Sequence, residues 1–368
     1  MPNTSLKLKS ASCQFAYWDD GQLRIANYLS GQTFSTHLGT LEVIRFFHVP
    51  RTIEDALVEF ERYSRESIAK SILELINAQL LLEYGSSQWE RDEHIRSSWR
   101  PWLPECGFHF MTKDTPFVPW DLPVEEKLKL LPTTPAPPLF KRIRGAQTVS
   151  LPAHVAVSDA YFRTLRARRT HREFGAGKIS LDDLSTLLQM TWGVQGYFQT
   201  DVFGELPYKT SPSGGSRHPG EVYVMALRVE GLGRGMYHYQ GKDNRLAKLS
   251  TQVSPHKAGA YCADQFYFSG AAALFIMTAV FARTMWKYGG ARAYRVVLLE
   301  AGHLCQTLCL TATRLGLAPF STAALKDSLI EKDLGLDGIS ESVLYVAGVG
   351  LVAGGAARRA GVRRRRAM

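Results

Sequence analysis

Lys287 and Tyr288, in the stretch TMWKYGGARAYR (284–295), put an amine beside a phenol, two groups able to hold or move a proton. On its own the pair reads as a surface charge beside a packing residue. RARRTHREF (166–174) places four arginines and a hydroxyl within seven positions. Arginine's planar fork matches the acceptor oxygens of a phosphate. Arg168, Arg169, Thr170 and Arg172 are therefore candidates to hold one phosphate group, with a solvated basic turn as the alternative. A third stretch, SPSGGSRHPGEVYV (211–224), sets Gly214 and Gly215 side by side, so backbone can approach a flat ligand with no Cβ in the way. Pro212 and Pro219 stiffen its flanks, and it runs directly into a strand-like segment.

Other groups carry less. Glu300 and His303 share a helix face at three-residue spacing and are expected to be structural. The cysteines (Cys13, Cys106, Cys262, Cys305 and Cys309) are odd in number and scattered, which points to a reducing compartment. Cys305 and Cys309 lie four apart with no further ligand pair at metal spacing, so they are expected as small core residues and no metal site is expected. Neither a GxGxxG after a strand nor a GxxxxGK[ST] occurs, which argues against a Rossmann dinucleotide site and a P-loop.

The elements that position these residues alternate. LDDLSTLLQMTWGV has helical periodicity, EVYVMALRVEGL and GMYHYQ suit strands around a turn, and AAALFIMTAVF and SVLYVAGVG suit buried strands. RAYRVVLLEAGHLCQTLCLTATRLG predicts a long helix, apolar nearly all round and hence central. Upstream, FAYWDDGQLRIANYLSGQTF suits short strands. Two helices follow, capped by Thr52 and Ser64, and then a hydrophobic strand-like run, a winged-helix-like order. Seven of the seventeen prolines fall in 111–140, a density that opposes helix and sheet. The expected organisation is a winged-helix-like domain (1–110), a proline-rich linker (111–150), an α+β domain (151–357) and a basic tail (358–368).

RRTHREF, PSGGSRHP with EVYV, GMYHY, and KYGGARAYRVVLLEAGHLCQ, in that order, resemble the nitroreductase-like flavoprotein superfamily. Within it the chain looks like the SagB-type dehydrogenases, the FMN-dependent azoline oxidases of thiazole- and oxazole-containing peptides. The resemblance implies a nitroreductase-like FMN-binding fold, with a mixed sheet flanked by helices, and a homodimer with FMN at the interface. It implies that Arg168, Arg169, Thr170 and Arg172 hold the flavin phosphate, with Arg358 and Arg359 as further candidates. Pro212, Ser213, Gly214, Gly215 and Ser216 would line the ring. Ser321, Thr322 and Ala323, in PFSTAAL, would face the ring edge, and Lys287 and Tyr288 would be the catalytic pair. The implied reaction is oxidation of a thiazoline or oxazoline to the azole, on a peptide or carrier-bound intermediate, beside a cyclodehydratase or a precursor peptide. Another two-electron oxidation, or nitro or quinone reduction, is the alternative enzyme.

The net charge of +10 suggests nucleic acid, but six arginines fall in the last eleven residues, and without them the balance is +4. A winged-helix DNA-binding protein ranks below the enzyme, because SRESIAKSILELINAQ offers only Arg65 and Lys70 against two glutamates. No uncharged apolar run of membrane-spanning length and no signal-peptide pattern occur, so a cytoplasmic protein is expected.

Overall fold

The computed structural model describes residues 6–119, 121–130, 139–140, 150 and 159–354. The basic tail, with Arg358 and Arg359, and much of the proline-rich linker lie outside these residues.

The C-terminal half is organised around a strand, Ala273–Val280, that is buried along nearly its whole length. Alternate side chains of a strand point to opposite sides. Ala273, Phe275 and Met277 accordingly join one apolar cluster, while Leu274 and Ile276 join another. Such a strand needs helices over both faces. Leu181–Trp192 and Ala293–Arg314 cover one face, through Leu187, Leu188, Leu304 and Leu308. Pro255–Tyr261 and Asp327–Leu334 cover the other, through Tyr261 and Ile330. The sheet order is Arg245–Lys248, Gly235–Gln240, Gly220–Ala226, Ala273–Val280, Glu341–Val352, Leu317–Thr322, and Phe174–Gly175 pairs with the end of Glu341–Val352. This is the expected α+β class.

Every pairing among these strands is antiparallel, a correction to the expected mixed sheet. The long helix does connect two strands that run the same way, Ala273–Val280 and Leu317–Thr322. Glu341–Val352 inserts between them and pairs antiparallel with both. Opposite Met277 and Thr278 that strand carries one extra residue, since Met277 pairs with Tyr345 but Thr278 with Val343. The bulge shifts the parity of the pleat, so Val343 and Val346 can face the same cluster.

The long helix is less central than its composition predicts. Leu304, Leu308 and Ala312 are buried on the sheet, but Leu298 and Leu299 are exposed. Its length and composition would suffice to cross a membrane, yet its apolar face is the one that packs on the sheet.

In the N-terminal half, Lys7–Ser10 pairs with Arg51–Thr52 and Leu81–Glu83. Helices Leu38–Phe46, Ile53–Glu59 and Arg65–Asn77 pack into one cluster with that sheet. Thr52 caps the second helix through a reciprocal pair with Asp55, and Ser64 caps the third through the Ser67 N–H. The third strand of the small sheet comes from the N-terminus, and a separate meander, Gln14–Asp19, Gln22–Asn27 and Gln32–Thr36, precedes the helices. Within the proline-rich stretch, Val124–Lys129 is helical, contrary to expectation. Pro123 sits at its N-cap, where no intrahelical N–H is required, and the six helical residues contain no proline.

Trp99, Trp102, Cys106 and Phe110 share a cluster with Phe281, Tyr294, Val297 and Ile339 of the C-terminal half. The Trp99 indole N–H donates to the Ile339 carbonyl at 3.0 Å, and Lys113 pairs with Glu331.

Leu308→Ala should destabilise the protein by about 2–5 kcal/mol, because its side chain is fully buried against the sheet. The exposed Val58→Ala should stay within about 0.5 kcal/mol. Equilibrium denaturant unfolding checks both.

Candidate functional site

The buried strand ends at Val280 and the chain turns at once into the short helix Phe281–Met285. Lys287 and Tyr288 follow, both with backbone N–H groups donating to the Thr284 carbonyl, at 3.2 and 2.9 Å. The Trp102 indole N–H donates to the Tyr288 carbonyl at 3.0 Å, fixing the turn from the N-terminal half. Gly289 and Gly290 have open space around them.

The glycine loop comes to this pair. A Cβ on Gly215 would lie 2.6 Å from the Tyr288 hydroxyl oxygen and 2.8 Å from Lys287 Nζ. Its φ of +61° is in the region that favours glycine. A side chain there would require Lys287 and Tyr288 to shift. A Cβ on Gly214 would in turn lie 2.7 Å from Val296 Cγ1 of the long helix. Ser216 and His218 also have positive φ, 56° and 44°, a costly conformation that surrounding bonds must enforce. The Ser216 hydroxyl donates to the Pro207 carbonyl at 2.8 Å, and the His218 N–H donates to Ser213 Oγ at 2.9 Å. Arg283 donates to the His218 carbonyl at 3.0 Å.

Lys287 Nζ lies 4.1 Å from the Phe203 ring centroid and 5.6 Å from that of Tyr288. Phe203 belongs to the turn between Gly196–Thr200 and Gly204–Tyr208, a hairpin that also exposes Tyr197 and Phe198. Arg217 packs over Phe203 and Trp286, and its Nε donates to the Gly215 carbonyl at 3.2 Å. The amine, the phenol, the glycine pair and an aromatic wall therefore form one cluster.

The phosphate candidates form another. Arg168 caps Ala160–Ala167, and the His171 N–H donates to the Pro319 carbonyl at 3.0 Å. The Arg172 guanidinium lies 5.1 Å from the Phe320 ring. This sets Arg168, Thr170 and Arg172 beside the strand that carries Ser321 and Thr322. Arg169 is exposed, and one of its terminal nitrogens donates to the carbonyls of Arg166 and Arg168, at 2.8 and 2.7 Å. The Ser321 hydroxyl lies 3.2 Å from the Tyr345 hydroxyl. Thr322 Oγ1 accepts from Gln265 and from the Ala324 N–H. Those side chains are engaged, so the Thr322–Ala323 backbone is what this end of the strand can offer.

The two clusters meet the same long helix at different places. The glycine loop meets it at Val296, while Ser321 and Arg168 lie near Cys305 and Cys309. At 1.5 Å per residue these points are about 14–20 Å apart. Cys305 and Cys309 are buried and free, as expected of core residues. Hydrogen bonding to Cys305 and burial push the Cys309 thiol up.

Glu300, expected to be structural, lies under the glycine loop, 4% exposed. Burial raises its pKa, and the Ser213 hydroxyl and Gly220 N–H it faces offset this in part. Its Oε2 has no hydrogen-bond partner among the described residues. His303 is exposed. The sequence gives no local sign of Trp102, which lies 186 positions from Tyr288, whereas Arg217 stands directly behind the glycines of the motif.

Residues 165–351 match the Nitroreductase family model. A nitroreductase-type protein of Methanocaldococcus jannaschii is 32% identical over 167 residues, covering 45% of this chain and 80% of that one. The trifolitoxin-processing protein TfxB of Rhizobium leguminosarum bv. trifolii is 24% identical over 320 residues, covering 81% of this chain and 83% of that one. Among solved structures, a chain of the Escherichia coli microcin synthetase McbBCD complex with truncated pro-MccB17 bound is similar at 22% identity and a TM-score of 0.47, over 73% of this chain and 98% of that one.

Gly215→Ala should push Lys287 and Tyr288 aside, and the left-handed backbone alone should cost about 1–2 kcal/mol; unfolding measurements check the cost. For Glu300 the raised folded pKa means that stability is fully present below its unfolded value of about 4.5 and falls as pH rises from there through the folded value. Glu300→Gln should remove that fall, so the stability difference between variant and wild type should grow in the variant's favour across this window. Urea unfolding of both at a series of pH values is the measurement.

Proposed function

Because this chain belongs to the nitroreductase family, we propose that it is an FMN-dependent dehydrogenase of the SagB type, oxidising thiazoline or oxazoline rings to azoles in a peptide or carrier-bound intermediate. The observation that carries the reading is the seating of Lys287 and Tyr288 against Gly215, where a Cβ would meet the ends of both side chains.

The donor set fits the cofactor. Arg168, Thr170 and Arg172 would hold its phosphate, with charge-assisted contacts that suit a dianion. Gly214 and Gly215 would let the loop approach a flat ring, and the Thr322–Ala323 backbone would meet the ring edge. When bound, FMN would supply the acceptor for a hydride. Forming the azole also breaks a C–H bond on the adjacent ring carbon, and the proton released there needs a base. Tyr288 as its phenolate, or Lys287 as its free amine, would take it, one of the two acting as the base while the other lies beside it. The Phe203 ring lies against Lys287 Nζ, and Trp286 packs edge-on against Phe203.

The resemblance to TfxB, a trifolitoxin-processing protein, over most of both chains supports a role in processing a natural product beside other biosynthetic proteins; a cyclodehydratase or a precursor peptide is the partner that the sequence resemblance implies. The separation of the two clusters along the helix, together with exposed Leu298 and Leu299, supports a homodimer with the loop of one copy facing the arginines of the other. The M. jannaschii relative favours a second reading, reduction of a nitro group or quinone.

The purified protein should be yellow and release FMN on heating, and Arg168→Ala should weaken retention by about 1.5–3 kcal/mol; absorbance and chromatography of the released cofactor check this. Lys287→Ala and Tyr288→Phe should keep the flavin and lose azoline oxidation by roughly 10²–10⁴-fold. Full flavin with near-normal turnover in both variants would make the pair structural, and activity confined to nitro or quinone substrates would favour the second reading.

A further inference from the structure

Beside the glycine loop, between Trp192 and the Tyr239–Lys242 turn, lies an open cavity of about 260 Å³. A cavity of about 150 Å³ is enough to hold a benzene molecule. Four cations line this one, Lys209, Arg217, Lys242 and Arg283, against a single carboxylate, Glu221. That carboxylate is already engaged: His238 lies 2.8 Å from one of its oxygens and Arg283 donates to the other at 2.5 Å. Arg283 and Glu221 thus compensate each other, and three cations remain. Lys209 is half-buried, and neither it nor Lys242 has a hydrogen-bond or ion-pair partner within reach among the described residues. Burial pushes the Lys209 ammonium below its usual range, with Glu221 and Glu300 acting in the opposite direction. Burial, with Lys209 next in effect, takes His218 down to about 4, so that wall is neutral near pH 7. A half-buried ammonium such as that of Lys209 is costly to hold without an anion beside it.

We infer that this cavity is a subsite for an oxyanion, a carboxylate or phosphate carried by the substrate, held by Lys209, Lys242 and Arg217. Arg217 ties it to the reacting pair, because its Nε is bonded to the Gly215 carbonyl and its guanidinium packs on the aromatic wall beside Lys287. As a binding site the cavity stands on its own geometry. Its use as a substrate anchor rests on the reading of Lys287 and Tyr288 as the reacting pair.

The test follows the lysine side chains by NMR in FMN-loaded protein carrying ¹³Cε-labelled lysine, with the Lys209 signal assigned from Lys209→Met. At fixed ionic strength the protein is titrated with N-acetylglycine, with its neutral amide, and with inorganic phosphate. A saturable shift of the Lys209 and Lys242 signals is expected with an oxyanion and none with the amide; the tighter of the two anions identifies the source as carboxylate or phosphate. Lys242→Ser, at an exposed position that leaves the fold intact, should weaken that binding about tenfold or more. No saturable shift with either anion, an equal shift with the amide, or unchanged affinity in both lysine variants would overturn the assignment. Because the readout is binding, it can fail while azoline turnover is observed, and it can succeed where no turnover is found.

Discussion

Burial of Ala273–Val280 on both faces leaves the chain little freedom where it emerges. The last residues of the strand are held by pairing on both sides, to Gly220 and Glu221 on one and to Glu341 and Ser342 on the other. Phe281 is then drawn into the cluster of Trp99 and Tyr294. The turn that follows can only be short, and it delivers Lys287 and Tyr288 to a fixed place. The same pairing fixes the glycine loop, because that loop runs into Gly220, the residue opposite Ala279. Two segments far apart in sequence are therefore brought together by adjacent strands of one sheet. The contact between the pair and Gly215 follows from that register.

Around this contact the structure stores strain and contains it. Three residues of one short loop, Gly215, Ser216 and His218, have left-handed backbone. Two of them carry side chains and would relax if released. Ser213, Pro207 and Arg283 hold them through hydrogen bonds, and Glu300 lies beneath. Arg217 faces both ways, toward the aromatic wall beside Lys287 and toward the basic cavity on the other side of the loop.

Much of this was legible in the sequence, for identifiable reasons. Strands buried on both faces write themselves as continuous apolar runs, so AAALFIMTAVF and SVLYVAGVG stood out. Thr52 and Ser64 announce their helices because capping is a local interaction. The glycine pair and the lysine–tyrosine pair were visible as types, but their contact was not, since it depends on sheet register. The direction of strand pairing was equally hidden: a helix between two strands suggests parallel neighbours, and nothing local reveals that Glu341–Val352 inserts between them. Composition alone makes the long helix central, because Leu298 and Leu299 count as apolar wherever they point. Arg169 matches the motif by position, and the bonds of its Nη1 to neighbouring carbonyls were not visible in the sequence.

The indole of Trp102 on the Tyr288 carbonyl has a consequence for how this protein can be recombined. A boundary drawn by composition would fall in the proline-rich stretch, and a graft of everything after it would look self-sufficient. It would leave behind Trp99, Trp102 and Phe110, which close the cluster around Phe281 and Tyr294. The Tyr288 carbonyl would lose its donor and the base of the turn would open to solvent. The smallest portable unit carrying an intact lysine–tyrosine turn therefore includes the segment from Trp99 to Lys113, however far upstream it is written.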